Sequence, residues 1–523
     1  MSIPGGASES SCGIFPSKFT NTIRLGGLLA VLALALGCGS NGTSNGTGPF
    51  STGSLSGSYV CRLSGNDSFI DASNNLQTEG YTETLVFTAD GSGRLSGTED
   101  FNSTLPAIGF TGGTAFTGTY SIGRDGNGSM TINFSAPSSG QINLSITLAS
   151  TSKFYAVEAD AFANFSANAA GEGVKQTTST FAAAPTGTFV TRVHQAFPTT
   201  VSSSTVGALT STNGTSVTGT VDILLNDTLL PQVTLTAGSF SAPDSNGRGT
   251  LVYTDSASAV PTHYQYYEID ANTFWLMESD STVLGTGSAE MQASGTLTLA
   301  GNYAFGSSGD TDSFIGGVRS VGVFTAGGGA ITGGVLDSVQ DGVSTLNQDF
   351  TGTYTPAANG RVDVSLTPSG GAPIPEVFWM VSPSRAFFLV AATNKAEDGT
   401  IDLQQQDTFA ATDLKGQYAL VMDGYNPSNL LTRIGTLISD GNGNLQLNEE
   451  ANSFVLGSLP GLINDPPTLS GNYTVDANGR VAAALSTLSS NLVMYMVSPG
   501  EAYILQNDPG VEISGKITLQ SSP

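Results

Sequence analysis

Seven carboxylates recur at matching places along this 523-residue chain, and they have the best claim to chemistry. Asp100, Asp222, Asp337 and Glu450 each close one strand-like segment. Asp160, Asp280 and Asp508 close another, with Asn394 near the third equivalent. Carboxylates converging on one mouth would hold Ca²⁺ or a cationic ligand, whereas the same groups spread around a wet rim would simply be solvated. Two strand ends supply fewer than the six or more oxygens that Ca²⁺ gathers. The expectation is therefore a solvated acidic rim, with no metal site and no cofactor.

Other reactive types lack a setting. Gly42-Thr43-Ser44-Asn45-Gly46 has nucleophile-elbow spacing but lies in a Gly/Ser/Asn/Thr-rich stretch, without the strand and helix such an elbow needs. Ser150-Thr151-Ser152-Lys153 fits S-x-x-K inside a hairpin turn. His194 and His263 fall in one copy of the repeat described below and have no counterparts in the others, which excludes a zinc site or triad shared by all copies. Asp90-Gly91-Ser92-Gly93, Asp125-Gly126-Asn127-Gly128 and Asp440-Gly441-Asn442-Gly443 lack the further carboxylates and terminal Glu of a calcium loop and are read as turns. No catalytic set assembles, so the chain reads as a non-enzyme.

The elements that position these residues come from a fourfold repeat. Its openings are Leu55-Ser56-Gly57-Ser58-Tyr59, Pro185-Thr186-Gly187-Thr188-Phe189, Leu299-Ala300-Gly301-Asn302-Tyr303 and Leu414-Lys415-Gly416-Gln417-Tyr418. Its closings set Gly and Gln five apart, at Gly171/Gln176, Gly287/Gln292, Gly399/Gln404 and Gly515/Gln520. A mid-repeat echo appears as Phe116-Thr117-Gly118-Thr119-Tyr120, Leu235 to Phe240, Phe350-Thr351-Gly352-Thr353-Tyr354 and Leu469 to Tyr473. Three landmarks in one order, four times, define a unit. The last copy reads as eight strands, about 416–422, 432–439, 444–450, 469–475, 479–485, 491–497, 501–507 and 513–520, and no helical period appears after the leader.

Eight sequential antiparallel strands remove their edges by closing, with strand one against strand eight. The expected fold is all-β: four tandem eight-stranded antiparallel up-and-down β-barrels. Because the motif occurs twice per unit, an eight-bladed β-propeller is the alternative, with β-sandwiches as a further one. The Leu-x-Gly-x-aromatic first strand, with Phe-Thr-Gly-Thr-Tyr at 116–120 and 350–354, resembles the strand grammar of calycins, the lipocalin and avidin barrels. That resemblance implies a small apolar ligand inside a barrel. Avidin-type biotin binding is not carried over, because this chain has two tryptophans, Trp275 and Trp379. Glu376 to Val381 and Leu492 to Val497 do not alternate, which predicts burial on both faces and packing of one repeat on the next.

Residues 1–37 read as a signal peptide. Lys18 and Arg24 precede an apolar run, Leu25 to Leu36, too short to span a bilayer. Ala35-Leu36-Gly37-Cys38 resembles the lipobox of bacterial lipoproteins, which implies a lipidated Cys38 and a membrane partner through that anchor. Gly39, in place of the Asp of inner-membrane retention, favours the outer membrane within that resemblance. Cleavage near Ala35, giving a secreted soluble protein, is the alternative. Residues 38–52 form a flexible tether, and the repeats occupy 53–180, 181–296, 297–410 and 411–523.

Only 11% of residues are charged and the formal net charge is −25, with no basic footprint for nucleic acid. Cys61 stands alone once Cys12 and Cys38 are set aside, and reads as a buried small hydrophobe. Two roles follow. One is a lipid-anchored cell-envelope protein with a structural, adhesive or interaction role. The other is a binding protein with a small apolar ligand inside calycin-like barrels. Large aromatics at inward positions would fill the barrels and favour the first; small residues would favour the second.

Overall fold

Strand alternation decides what each barrel encloses. In the first strand, Ser56–Ile70, Tyr59, Cys61 and Leu63 join the barrel core, whereas Val60 belongs to a separate cluster outside it. Repeated over eight strands, that alternation gives each sheet an apolar inner face, and closure gives it no edge. The computed structural model describes residues 48–521 except 72, 107, 136–139, 163, 196–202, 226–227, 282, 312–316, 393–394, 427–428, 456–461, 466–467 and 486–489. The leader, Cys38 and the Gly42–Gly46 motif lie outside the described residues.

Each repeat is a closed antiparallel barrel with strands in sequential order. In the first, Ser56–Ile70 pairs with both Leu76–Asp90 and Phe165–Lys175. The fourth closes likewise, Asn429–Asp440 pairing with Lys415–Asn426 and with Asn444–Val455. A further short strand, Leu462–Asp465, adds to the far end of Asn444–Val455, within the link expected between the strands at 444–450 and 469–475. Independent closure of each unit excludes propeller blades and open sandwiches.

The repeated motifs build one end of each barrel. Gly57, Gly187, Gly301 and Gly416 have φ of 109°, 131°, 125° and 132°, a left-handed region that side chains rarely adopt. The aromatic two residues later plugs the barrel end. Tyr59, Tyr303 and Tyr418 donate from Oη to the carbonyls of Thr151, Pro383 and Pro499, at 2.6–2.8 Å, in the turn between strands six and seven. The mid-repeat Tyr120, Tyr354 and Tyr473 donate to the opening leucine carbonyls of Leu55, Leu299 and Leu414.

The interiors are filled by large side chains. Tyr59, Phe87, Phe116, Phe134 and Phe154 pack in the first barrel; Tyr303, Phe305, Phe324, Phe350 and Phe388 pack in the third. A void of about 60 Å³ in the third, between Phe305, Phe378 and Glu376, has room for a few waters only. Cys61 is fully buried in the first core, and burial pushes its thiol well above the ordinary value.

Four further apolar clusters lie between barrels. Val60 and Val86 of the first meet Tyr267, Trp275 and Met277 of the second. Val190, Val206 and Leu224 of the second meet Val377, Trp379, Phe387 and Leu389 of the third. Ala304, Val321 and Val323 of the third meet Val493, Tyr495, Tyr503 and Leu505 of the fourth. Ala419 and Ile434 of the fourth meet Ala149, Tyr155 and Val157 of the first. The outer face of strands six and seven thus packs on the first strands of the preceding barrel, as the unalternating runs predict. The last barrel is the one that precedes the first. The four barrels form a ring.

Candidate functional site: inter-barrel junctions and an axial cavity

The closing glutamine of each repeat leaves strand eight and enters the next barrel. Gln176 Nε2 donates to the carbonyls of Asn246 and Glu268, Gln292 to Asn359 and Met380, and Gln404 to Asn478 and Met496. Gln520 donates to Asp125 at 2.9 Å and Leu148 at 2.7 Å, which closes the ring on the first barrel. A tight turn receives each amide. At Gly126, Gly247, Gly360 and Gly479 φ lies between 78° and 87°, and an added Cβ would sit 2.5–3.0 Å from the glutamine nitrogen.

The strand-three carboxylates serve the same junctions. Asp100 is buried and accepts from Arg248 Nε (2.5 Å) and Tyr267 Oη (2.5 Å) of the second barrel. Asp222 is fully buried, accepting from Arg361 Nε (2.9 Å) and Nη2 (3.0 Å) and from Trp379 Nε1 (2.7 Å) of the third. Asp337 accepts from Arg480 Nε (2.7 Å), Nη2 (2.9 Å) and Tyr495 Oη (2.5 Å) of the fourth. A buried carboxylate persists only with such partners, which replace its lost hydration.

At the closing junction the arginine and aromatic are replaced. Asn127 opposite Thr147 stands in the register of Arg248 opposite Tyr267, Arg361 opposite Trp379 and Arg480 opposite Tyr495. Glu450 there accepts from Ser145 Oγ at 2.7 Å.

The strand-seven carboxylates do different work. Asp160, Asp280 and Asp508 each accept from the backbone nitrogen and side chain of the residue 17 places earlier, at Asn143, His263 and Asn491. They pin strand seven to strand six inside one barrel. The expectation of a solvated acidic rim is therefore corrected for Asp160, buried against strand six of its own barrel, and for Asp100, Asp222 and Asp337. The last three face a neighbouring barrel, because the ring buries the outer surface where strand three ends. Among the described residues, no group of three or more His, Cys, Asp or Glu is placed to hold a metal ion. Asn394 lies outside the described residues.

The remaining candidates resolve as local structure. Ser150 accepts from the backbone of Lys153 in a hairpin turn, and Lys153 pairs with Glu172 at 3.3 Å. Asp90 and Asp440 cap their own turns through Ser92, Arg94, Asn442 and Asn444. His194 is more than that. Its Nδ1 lies 2.6 Å from Asp398 of the third barrel, which also accepts from Arg192 and from Ser204 Oγ. Ser204 and Asp398 meet the same ring nitrogen, so no proton relay runs from serine through imidazole to carboxylate.

His194 also lines a cavity of about 280 Å³ where the four barrels meet. Each contributes outward residues of its first strands: Arg62, Ser64 and Asn66; Arg192 and His194; Ser308, Asp310 and Arg319; Asp423 and Tyr425. Arg62 stacks over Trp275 at 4.4 Å and pairs with Glu172. Burial alone would push Asp398 up, but the charges of Arg192 and His194 hold it well below the carboxylate range. Burial would likewise lower His194; Asp398 outweighs it and holds the imidazole above its ordinary value. Asp310 and Asp423 are pushed up by burial, which His194 and Arg319 offset only in part. Asp423 is itself exposed to this partly open cavity, whose four protein walls limit the water around it.

Sequence reasoning missed this cavity. Its signal was there: five residues after the opening aromatic stand Ser64, His194, Ser308 and Asp423, polar positions on strands otherwise poor in charge.

No protein-family model matches the chain, and no curated protein matches it. Among solved structures it is similar to intact Ap-TbpB (N and C lobes), at 8% identity and TM-score 0.17 over 73% of this chain and 87% of that one. Transferrin binding protein B from Neisseria meningitidis gives 8% and 0.18 over 67% and 77%, and CghA gives 9% and 0.15 over 89% of each chain. Similarity this low carries no functional argument.

Proposed function

We propose that this is an exported, lipid-anchored cell-envelope protein whose role is interaction, performed by the ring surface and not by barrel interiors. One observation carries the reading. The six large apolar side chains exposed among the described residues are Leu76, Phe162, Leu225, Val260, Val343 and Leu346. All six lie at hairpins that lead from an odd strand to the next even one, and so on a single face of the ring. The chain enters from the opposite face, where Phe50 is buried beside the Gly126 turn before strand one begins. A tether from Cys38 would thus hold the ring by its polar-turn face and present the apolar tips away from the membrane. The filled cores argue against a small apolar ligand inside a barrel, which needs roughly 300 Å³ or more. The reading includes no catalytic step.

The test uses the Cys38→Ser protein, expected in soluble form, immobilised and challenged with washed envelope fragments from cells that lack the chain. Retention should fall at least tenfold when the six tips are changed together to serine, with thermal unfolding unchanged. Equal retention by both proteins overturns the interaction face; a Cys38→Ser protein still bound to membranes after processing overturns the anchor.

A further inference from the structure

Among the described residues three charged groups on the axial cavity, Arg319, Asp310 and Asp423, make no ion pair, and a fourth, His194, shares its counter-ion. Arg62 is matched by Glu172, and Arg192 by Asp398. Arg319 is different: it is buried, and its Nη1 donates to the main-chain carbonyls of Gly309 and Val318, both at 3.0 Å. Its guanidinium lies 5.6 Å from the Tyr425 ring. His194 shares Asp398 with Arg192, so one carboxylate serves two cationic groups. Opposite them, Asp310 is 94% buried (6% exposed), lines the cavity and makes no hydrogen bond or ion pair among the described residues; Asp423, which is exposed, lines it from the fourth barrel.

A dehydrated, unbonded carboxylate is unfavourable unless a partner arrives. A chain with so few charges has placed one such carboxylate, a second and exposed one, a buried arginine and a histidine around one partly open cavity. They come from three different barrels. A simple cation would be repelled by Arg319 and His194, and a simple anion by Asp310 and Asp423. A molecule with one charge of each sign offsets both sets. The volume, near the lower end for small-molecule sites, suits a ligand of amino-acid size.

We propose that the axial cavity is a binding site for a small zwitterion of the amino-acid class, its ammonium group held between Asp310 and Asp423 and its carboxylate by Arg319 and His194. The cavity lies toward the face away from the tether, since Asp310, Asp423 and His194 stand near the far ends of their first strands, Gly301–Thr311, Lys415–Asn426 and Gly187–Gln195. Ring closure creates the site, because each barrel alone supplies a fragment of it. The assignment is independent of any partner at the apolar tips.

The experiment is titration calorimetry and thermal unfolding of the full processed chain with free L-amino acids, beside their N-acetyl and amide derivatives. At least one free amino acid should bind and raise the unfolding temperature, with both derivatives at least tenfold weaker. Asp310→Asn with Asp423→Asn should abolish binding. Should that variant fail to fold, Arg319→Gln serves: the free acid and its amide should then bind equally. The proposal is overturned if no free amino acid binds, if a derivative binds as well as its parent, or if the folded variants bind like the parent protein.

Discussion

The junctions between consecutive barrels and the junction that closes the ring solve one problem with different chemistry. At the three consecutive junctions a buried Asp meets an Arg and an aromatic donor; at the closing one Glu450 meets Ser145, while Asn127 and Thr147 take the places of Arg and aromatic. The closing junction adds neutral contacts instead: Tyr155 Oη with Thr518 (2.7 Å), Thr432 with Asn168 (2.7 Å), and Gln417 to the Asp125 carbonyl (2.9 Å). A buried ion pair is an inefficient source of net stability, yet it penalises wrong docking heavily, because misalignment strands both charges. Three strict junctions fix the geometry of four barrels. The fourth contact meets a register already set, and apolar packing with hydroxyl and amide bonds suffices.

The largest expected effect separates these classes directly. Asp222→Ala leaves Arg361 buried without its bidentate partner and should destabilise the ring by about 3–5 kcal/mol. Glu450→Ala removes bonds from neutral donors, Ser145 and Asn452 among them, and should cost about 1–2 kcal/mol. Urea unfolding of both variants checks this, and equal losses would erase the distinction.

A smaller effect concerns local opening. Gln520→Ala and Gln292→Ala each remove two hydrogen bonds to the next barrel, a loss of about 1–3 kcal/mol. At the closing junction no ion pair of the Asp–Arg type holds the contact among the described residues. Hydrogen exchange should therefore accelerate at least tenfold more across Gln141–Leu148 in Gln520→Ala than across Ile374–Ser382 in Gln292→Ala. Matching acceleration would show that the ion pairs do not restrain opening.

The smallest is a pH effect at the second–third junction, which is the one joined by a histidine. His194 is raised in the fold, so its contribution is complete below the unfolded value near 6.5 and is lost as pH rises through its higher folded value. Asp398 is lowered, so its contribution is present above the ordinary carboxylate value and is lost as pH falls through its lower folded value. His194→Gln should flatten the alkaline loss, by about 1 kcal/mol or less, in melting curves from pH 6 to 9. An unchanged profile would place the titration elsewhere.

The fold was legible because Leu-x-Gly-x-Tyr and the Gly…Gln closing are local patterns with local consequences: a left-handed glycine, a plugged end, a strand that must meet the first. The junctions were half legible. Asp100 reads by default as a solvated strand end, since its partner Arg248 is 148 residues away. Comparison among copies held the clue. Asn-Gly-Arg occurs in repeats two, three and four but gives way to Asp-Gly-Asn in the first, while the strand-three carboxylate changes to Glu in the fourth. The two departures are offset by one copy and adjoin only if the last barrel touches the first. The axial cavity was not legible, because it exists only once four outward faces converge.

Ring closure also settles how many copies the molecule can have. An open solenoid needs special capping units at its ends and gains or loses whole repeats with little penalty. Here the first repeat presents the register that meets Glu450, and Gln520 seats in its Gly126 turn, so neither end is left to cap. A head-to-tail contact forms a finite object only when its rotation returns to the start. Removing one barrel, or adding a fifth, would leave an Asn127-bearing face and a Glu450-bearing face that no longer reach each other, turning a closed body into an open strip with two sticky ends.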